Sequence, residues 1–320
     1  MSASGGTRAI IAAFLANAGI ALTKFIAWFF SGSTSMLAEG VHSVADAGNQ
    51  LLLILGGRKA KKSADKEHPF GYGRERYVYA FVVSIILFSV GGVFSIYEGI
   101  DKIQHPHELE VPWLPILVLS IAIVLESFSL RTAIKESNHV RGRQTWVQFV
   151  RRAKAPELPV VLLEDVAALL GLVFALFGVG LTIITGNSLF DAIGTLMIGT
   201  LLIIVAIVLG METKSLLVGE GANDDDLQKI EQAILDGPEA ERIIHMKTLY
   251  LGPDELLVAA KVGFAADQRL LEVATATNVI EARVRQAVPT ARVIYVEADV
   301  YVDPAAAAPA TDAIVIKGLE

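Results

Sequence analysis

The sequence predicts an α-helical membrane protein with six transmembrane helices, followed by a small α+β domain. Of its 320 residues 53% are hydrophobic and 19% are charged, and the mean hydropathy of +0.53 is too high for an ordinary water-soluble domain. The apolar runs end near Met211, after which 19 Asp and Glu stand against 10 Lys and Arg. This change in composition predicts a membrane domain over residues 1–211 and a water-soluble domain after it.

Six apolar segments are long enough to cross a bilayer, which takes about 20 residues of helix. They are residues 10–30, 34–56, 77–100, 112–133, 159–184 and 189–210. Loop 57–76 carries seven Lys and Arg, whereas residues 31–35 carry none. The positive-inside rule therefore predicts that this loop and both termini are cytoplasmic. Because the first apolar run leads directly into the second, no cleavable signal peptide is expected, and this favours a bacterial inner membrane.

Residues 212–303 follow the order αββαβ. The segment "NDDDLQKIEQAILD" begins with capping and acidic residues and then spaces its apolar residues for one helical face. Two β-rich runs joined by "GPDE", a helical pattern over 269–288 and an alternating strand over 291–302 follow. This order predicts a ferredoxin-like two-layer sandwich, of the kind used for dimerisation or regulation. Residues 304–320 are predicted to be disordered.

The second apolar segment, "LAEGVHSVADAGNQLLLILG", contains three ionisable residues in its first ten positions. A charge at the bilayer centre costs from a few to more than roughly ten kcal/mol, so such residues predict a function. His42 and Asp46 are four positions apart and share one helical face, which is a spacing used by metal ligands. Asp165, at a comparable depth in the fifth segment, is the expected third ligand. Glu39, nearer the segment end, is expected to be solvated or to cap the helix.

The ligand types limit the metal. There is no cysteine, so any metal is held by His, Asp or Glu. One imidazole and two carboxylates suit Zn²⁺, with Mn²⁺, Fe²⁺ or Co²⁺ also open. The alternative for His42 and Asp46 is a mutual hydrogen bond that locks two helices together. The sequence has no HExxH motif, which argues against an intramembrane metallohydrolase, and no enzymatic activity is expected.

Three stretches, "GSTSMLAEGVHSVADAGNQLLLILG", "HPFGYGRERYVYAF" and "LFDAIGTLMIG", together with the αββαβ domain, resemble the cation diffusion facilitator family of metal/proton antiporters. The resemblance covers nearly the whole chain. It implies a homodimer in the lipid bilayer that moves a divalent metal, with Zn²⁺ the first candidate, out of the cytosol in exchange for protons by alternating access. It implies no nucleic-acid partner. A Mn²⁺-, Fe²⁺- or Co²⁺-selective transporter, or a metal-gated channel or receptor, is the alternative.

Most zinc-carrying members of the family have HxxxD in both the second and the fifth spans. Here "VLLED" places Val161 at the second histidine position, and the surrounding segment resembles the branch that includes zinc transporter nine, in which the acidic pair is a feature. Glu164 is therefore a candidate fourth ligand, with Glu126 or water as alternatives. Glu126 can instead form a structural ion pair, for which Lys24 is a candidate.

The family's second metal site lies in the loop between the second and third spans. Asp65 and His68 match two of its ligands, but Tyr72 stands where some members have histidine. We favour a turn role for His68. Metal sensing by the α+β domain would have to use Glu297, Asp299 or Asp303, because His245 is its one histidine, and we do not favour it.

Overall fold

A computed structural model describes residues 18–106 and 108–301. The chain divides into two compact units at Val218 and Gly219. The boundary falls after Val218 rather than after Met211, because the last helix of the first unit continues through Met211 without a break. The predicted disordered tail, residues 304–320, lies outside the described residues.

The first unit is helical. Its helices are α1 Ala18–Ser31, α2 Thr34–Lys59, α3 Glu75–Ile86, α4 Phe94–Gln104, α5 Trp113–Arg141, α6 Trp146–Arg152, α7 Glu157–Thr185 and α8 Leu189–Val218. A π-helical segment, Leu87–Val93, joins α3 to α4 without interruption.

Four helices in the described part of the chain are long and apolar enough to cross a membrane: the continuous α3–α4 helix, α5, α7 and α8. They correspond to the third to sixth predicted spans. Helix α1 is described only from Ala18 and is shorter, and α2 carries ionisable residues that lower its hydropathy. The first two spans therefore stay predictions.

Small residues allow α7 and α8 to pack closely. A Cβ on Gly178 would lie 2.8 Å from the Phe190 carbonyl oxygen, and one on Gly194 would lie 3.0 Å from the Phe174 carbonyl oxygen. Close approach at small residues is the usual basis of helix packing in membranes. This close packing holds together α7 and α8, the two most apolar helices, next to α2.

The carboxylate of Asp191, near the start of α8, caps the N-terminus of α2. Ser33 Oγ donates to Asp191 Oδ1 at 2.9 Å, and Thr34 N donates to Asp191 Oδ2 at 2.9 Å. The Ser35 hydroxyl donates to the backbone carbonyl of Asp191 at 3.0 Å. A carboxylate at this place satisfies free N–H groups and complements the helix dipole. Two of the recognised stretches, "GSTS" and "LFDAIG", thus meet in one buried contact.

The second unit has the predicted αββαβ order. It consists of α9 Asp224–Leu235, β1 Arg242–Gly252, β2 Glu255–Gly263, α10 Leu270–Ala287 and β3 Ala291–Asp299. Strand β2 is central, pairing antiparallel with β1 and parallel with β3. Ile230 and Ile234 of α9 and Ile280 of α10 are buried in one core with Leu256 and Val258 of β2. The small mixed sheet is therefore confirmed.

Candidate metal centre

His42 and Asp46 lie together on α2, as their spacing predicts. The His42 side chain is 1% exposed, and its Nε2 is 3.5 Å from Asp46 Oδ2. On the other side of the ring, a Cβ placed on Gly91 in the π-helical segment would lie 3.9 Å from His42 Nδ1. The imidazole is thus enclosed between α2 and a helix irregularity of a kind frequent at functional sites.

Several polar atoms of this pair are buried without a hydrogen-bond partner among the described residues. They are His42 Nδ1, His42 Nε2 and Asp46 Oδ1. Each such atom costs about 1–3 kcal/mol unless something else satisfies it. The alternative of a mutual hydrogen bond that locks two helices is wrong, since both residues are on α2 and their 3.5 Å contact does not meet hydrogen-bond criteria. A bound cation would satisfy the lone pairs of the carboxylate oxygen and of the unprotonated ring nitrogen.

Glu39 is fully buried, so the expectation that it is solvated or caps the helix is wrong. Its Oε2 lies 2.9 Å from Lys24 Nζ of α1, which also donates to Ser43 Oγ at 2.7 Å. A Cβ on Gly171 of α7 would lie 2.6 Å from Glu39 Oε1, so a larger residue there would require the carboxylate to shift. Lys24 is therefore engaged by Glu39 rather than by Glu126. The Lys24–Glu39 ion pair lies about one helical turn before His42, and the opposite charges of its two members largely balance each other.

Glu164 and Asp165 of α7 are both buried, but they contact different helices. Asn49 Nδ2 of α2 donates to Glu164 Oε1 at 2.8 Å, whereas Ser129 Oγ of α5 donates to Asp165 Oδ2 at 3.0 Å. Adjacent residues point about 100° apart around a helix, which accounts for the difference. Glu164, rather than Asp165, is the carboxylate that reaches α2 in this structure.

Over the described ranges, no group of three or more His, Asp and Glu side chains is close enough to hold one metal ion. The structure brings His42 to Asp46 and Glu164 to α2, and it leaves Asp165 bonded to Ser129. The complete ligand set of His42, Asp46, Asp165 and Glu164 therefore stays a prediction. Asn49, which sequence reasoning missed, could have been noticed as an amide three residues after Asp46 in an apolar helix.

The loop between α2 and α3 uses Asp65 as a turn residue. Tyr72 OH donates to Asp65 Oδ2 at 2.7 Å, and the backbone N–H groups of Glu67 and His68 donate to Oδ1 at 3.1 and 2.9 Å. The Tyr72 hydroxyl, then the His68 backbone and Lys62, hold the pKa of Asp65 well below its usual range. These contacts support the turn reading of "HPFGYG" over a second metal site.

Two of the carboxylates considered for sensing in the α+β unit, Glu297 and Asp299, are also paired, whereas Asp303 lies outside the described residues. Lys261 Nζ lies 3.1 Å from Glu297 Oε1 and 2.9 Å from Asp299 Oδ2. The hydrogen bond from Lys261 lowers the pKa of Asp299. The sheet thus uses these acids in a cross-strand ion pair, and metal sensing there gains no support.

A helical membrane unit with buried, incompletely partnered His and carboxylate side chains, followed by a small αββαβ unit, defines a class of metal-handling membrane proteins. Residues 10–218 match the model of the cation efflux transmembrane domain. The chain therefore belongs to the cation efflux family, the cation diffusion facilitators, and is a multi-pass membrane protein that resembles zinc transporter nine.

Similar proteins include the "Proton-coupled zinc antiporter SLC30A9, mitochondrial" of Mus musculus, 33% identical over 81% of this chain and 46% of that protein. "Metal tolerance protein C4" of Arabidopsis thaliana is 29% identical over 80% of this chain and 57% of that protein. The "Cation-efflux pump FieF" of Klebsiella pneumoniae is 26% identical over 78% of this chain and 79% of that protein. The chain spans about half the length of the mouse relative.

The expectation of a bacterial inner membrane is not supported. The mouse and human relatives, 33% and 32% identical, are named as mitochondrial proteins. Bacterial relatives are present at lower identity.

Proposed function

We propose that this chain carries a divalent cation, Zn²⁺ foremost, across a membrane in exchange for protons by alternating access. The observation that carries the proposal is the His42–Asp46 pair, whose ring nitrogens and Oδ1 are buried without a hydrogen-bond partner in the described structure. Family membership and the printed names of the zinc antiporter relatives support it.

The ligand types explain why metal and protons would exchange. A histidine binds a metal only when its ring is neutral, and a carboxylate only when it has lost its proton, so metal binding releases protons. Loading with metal and loading with protons are therefore alternatives, and exchange follows if the carrier changes sides only when it is loaded with one or the other.

Asp165 is the ligand that we propose changes partner during this cycle. It lies next to Glu164 on α7, and its present contact is the single hydrogen bond from Ser129. A modest rotation of α7 would exchange that hydroxyl for a metal ion shared with α2. In the state described here Asp165 would then lie away from the other ligands, and the ligand set would be incomplete.

Placement in the membrane and assembly are part of the same proposal. Large apolar side chains such as Phe29, Phe128 and Ile184 are exposed on the outer faces of the helices, which suits contact with lipid. The basic loop 57–76 lies on the side from which metal is taken. The homodimer implied by the family resemblance completes the assembly.

Reconstituted protein tests the proposal. In proteoliposomes holding a pH-sensitive dye, an inward Zn²⁺ gradient should drive protons out of the vesicle, and a proton gradient should drive Zn²⁺ in the opposite direction. A panel of Mn²⁺, Fe²⁺ and Co²⁺ under the same conditions ranks the substrates. Metal flux with no counterflow of protons would contradict exchange and favour a channel.

A further inference from the structure

One stripe of α2 carries more than the predicted pair. His42, Asp46 and Asn49 are spaced by four and then three residues, so their side chains stack along one face of the helix. Asn49 is fully buried. The same stripe is met by Glu164 of α7. An imidazole, a carboxylate and a carboxamide therefore line one face, opposite a second carboxylate.

The orientation of the Asn49 amide follows from its partner. A carboxylate oxygen can only accept a hydrogen bond, so the NH₂ group of Asn49 faces Glu164 Oε1, at 2.8 Å. The amide oxygen Oδ1 is consequently directed away from that contact. It is buried and has no donor in the part of the chain that the structure describes.

The unpartnered atom of Asn49 lies on the same face of α2 as those of His42 and Asp46, about one turn beyond Asp46. His42 Nδ1 and Nε2, Asp46 Oδ1 and Asn49 Oδ1 are all buried without hydrogen-bond partners among residues 18–106 and 108–301. The two oxygens carry lone pairs, and a neutral imidazole carries one on whichever ring nitrogen lacks the proton. Native proteins seldom bury several acceptors together unless a ligand, ion or water satisfies them.

We propose that Asn49 is a further residue of the metal site, donating its Oδ1 to the cation while its Nδ2 holds Glu164 against the His42–Asp46 face. This rests on the proposed function. The pair of Asn49 and Glu164 then takes the place of the histidine that Val161 replaces. The donor set becomes one nitrogen with several oxygens, a combination that suits Zn²⁺ and also tolerates Mn²⁺ or Co²⁺.

The Asn49–Glu164 pair gives the site a fixed charge as well as a fixed shape. Asp46 and Glu164 each bring a negative charge to the cation, and the neutral carboxamide adds an oxygen without adding charge. Groups that orient a metal ligand through a hydrogen bond commonly change metal affinity by 10–100-fold when they are removed.

Calorimetric titration of the purified full chain with ZnCl₂, in detergent at fixed pH, tests this. Asn49→Ala should raise the Kd for Zn²⁺ by about 10–100-fold. The exchange variant Asn49→Asp/Glu164→Gln keeps one carboxylate and one carboxamide, with the hydrogen bond reversed, and should bind within about threefold of wild type if the pair acts as a unit. The double variant Asn49→Ala/Glu164→Gln should not recover.

Ser137→Ala is the matched control, because Ser137 Oγ is also buried without a described hydrogen-bond partner but lies elsewhere, on α5. Its Kd should equal that of wild type. An unchanged Kd in a folded Asn49→Ala protein overturns the proposal. If Asn49→Ala does not fold, the exchange variant decides, and an exchange variant that is folded yet binds no better than the double-loss variant overturns it.

The same titration separates this inference from the proposed function. If wild type binds Zn²⁺, and binding is lost in His42→Ala but not in Asn49→Ala, the role of Asn49 is rejected and the proposed function stands. Wild type that binds no Zn²⁺ overturns both.

Discussion

At the scale of single residues, the two acids of α7 have different surroundings although they are adjacent in the chain. Glu164 accepts a hydrogen bond from Asn49 on α2, and Asp165 accepts one from Ser129 on α5. The sequence predicts that both are buried and functional. It does not predict which acid faces α2, because that depends on the rotation of α7 within the bundle.

The residue-scale prediction concerns Asp165. Asp165→Ala should abolish Zn²⁺-driven proton flux in proteoliposomes, because the third ligand is lost when α7 turns toward α2. Ser129→Ala should retain flux, since it removes only the hydrogen bond that holds Asp165 in the present state. Full transport by a folded Asp165→Ala protein would remove Asp165 from the ligand set and leave Glu164 as the α7 ligand.

At the scale of helices, the start of α2 is fixed by a residue of α8. The Asp191 carboxylate accepts from the Ser33 hydroxyl and from the backbone and hydroxyl of Thr34. The stretches that carry these residues are recognisable in the sequence, but their contact joins positions more than 150 residues apart. Because α2 carries His42 and Asp46, this cap also sets the position of the site.

The π-helical segment Leu87–Val93 is a second feature of the helices that sequence reasoning missed. Its composition, "LFSVGGV", does not differ from that of an ordinary membrane helix. A Cβ on Gly91 would lie 3.1 Å from Leu202 Cδ1 and 3.9 Å from His42 Nδ1, so packing against α8 and the imidazole shapes this segment. Such tertiary causes have no local sequence pattern.

The helix-scale prediction concerns the cap. Asp191→Ala should lower the free energy of unfolding by about 3–5 kcal/mol, because it leaves several buried donors without their charged partner. The measurement is thermal or denaturant unfolding in detergent, followed by tryptophan fluorescence. Asp225→Asn, at an exposed carboxylate of α9, is the control and should change stability little. Equal unfolding midpoints for wild type and Asp191→Ala would show that the cap contributes nothing measurable.

At the scale of the whole molecule, hydrophobic patterning predicts most of the architecture. Apolar length identifies α3–α4, α5, α7 and α8, β-rich composition identifies β1 and β2, and alternation identifies β3. The unit boundary is missed because α8 continues past Met211 with polar residues such as Lys214, which composition alone reads as the start of a soluble domain. Composition indicates which residues are exposed to water, whereas the end of a helix is set by where its backbone hydrogen bonds end.

The metal site is predicted less completely than the fold. His42 and Asp46 are found because helical periodicity places them on one face regardless of the tertiary structure. The burial of Glu39 against Lys24 and the arrival of Glu164 at Asn49 depend on contacts between helices. An uncharged amide such as Asn49 also attracts little notice in a search for charged residues.

The central claim is that His42 and carboxylates from α2 and α7 bind one divalent cation inside the membrane unit. X-ray absorption at the zinc edge, recorded on the purified chain loaded with one equivalent of Zn²⁺, tests it most directly. We predict a nitrogen and oxygen shell with the scattering of a single imidazole, which disappears in His42→Ala. A spectrum with no imidazole contribution in wild type, or one that His42→Ala leaves unaltered, would contradict the claim.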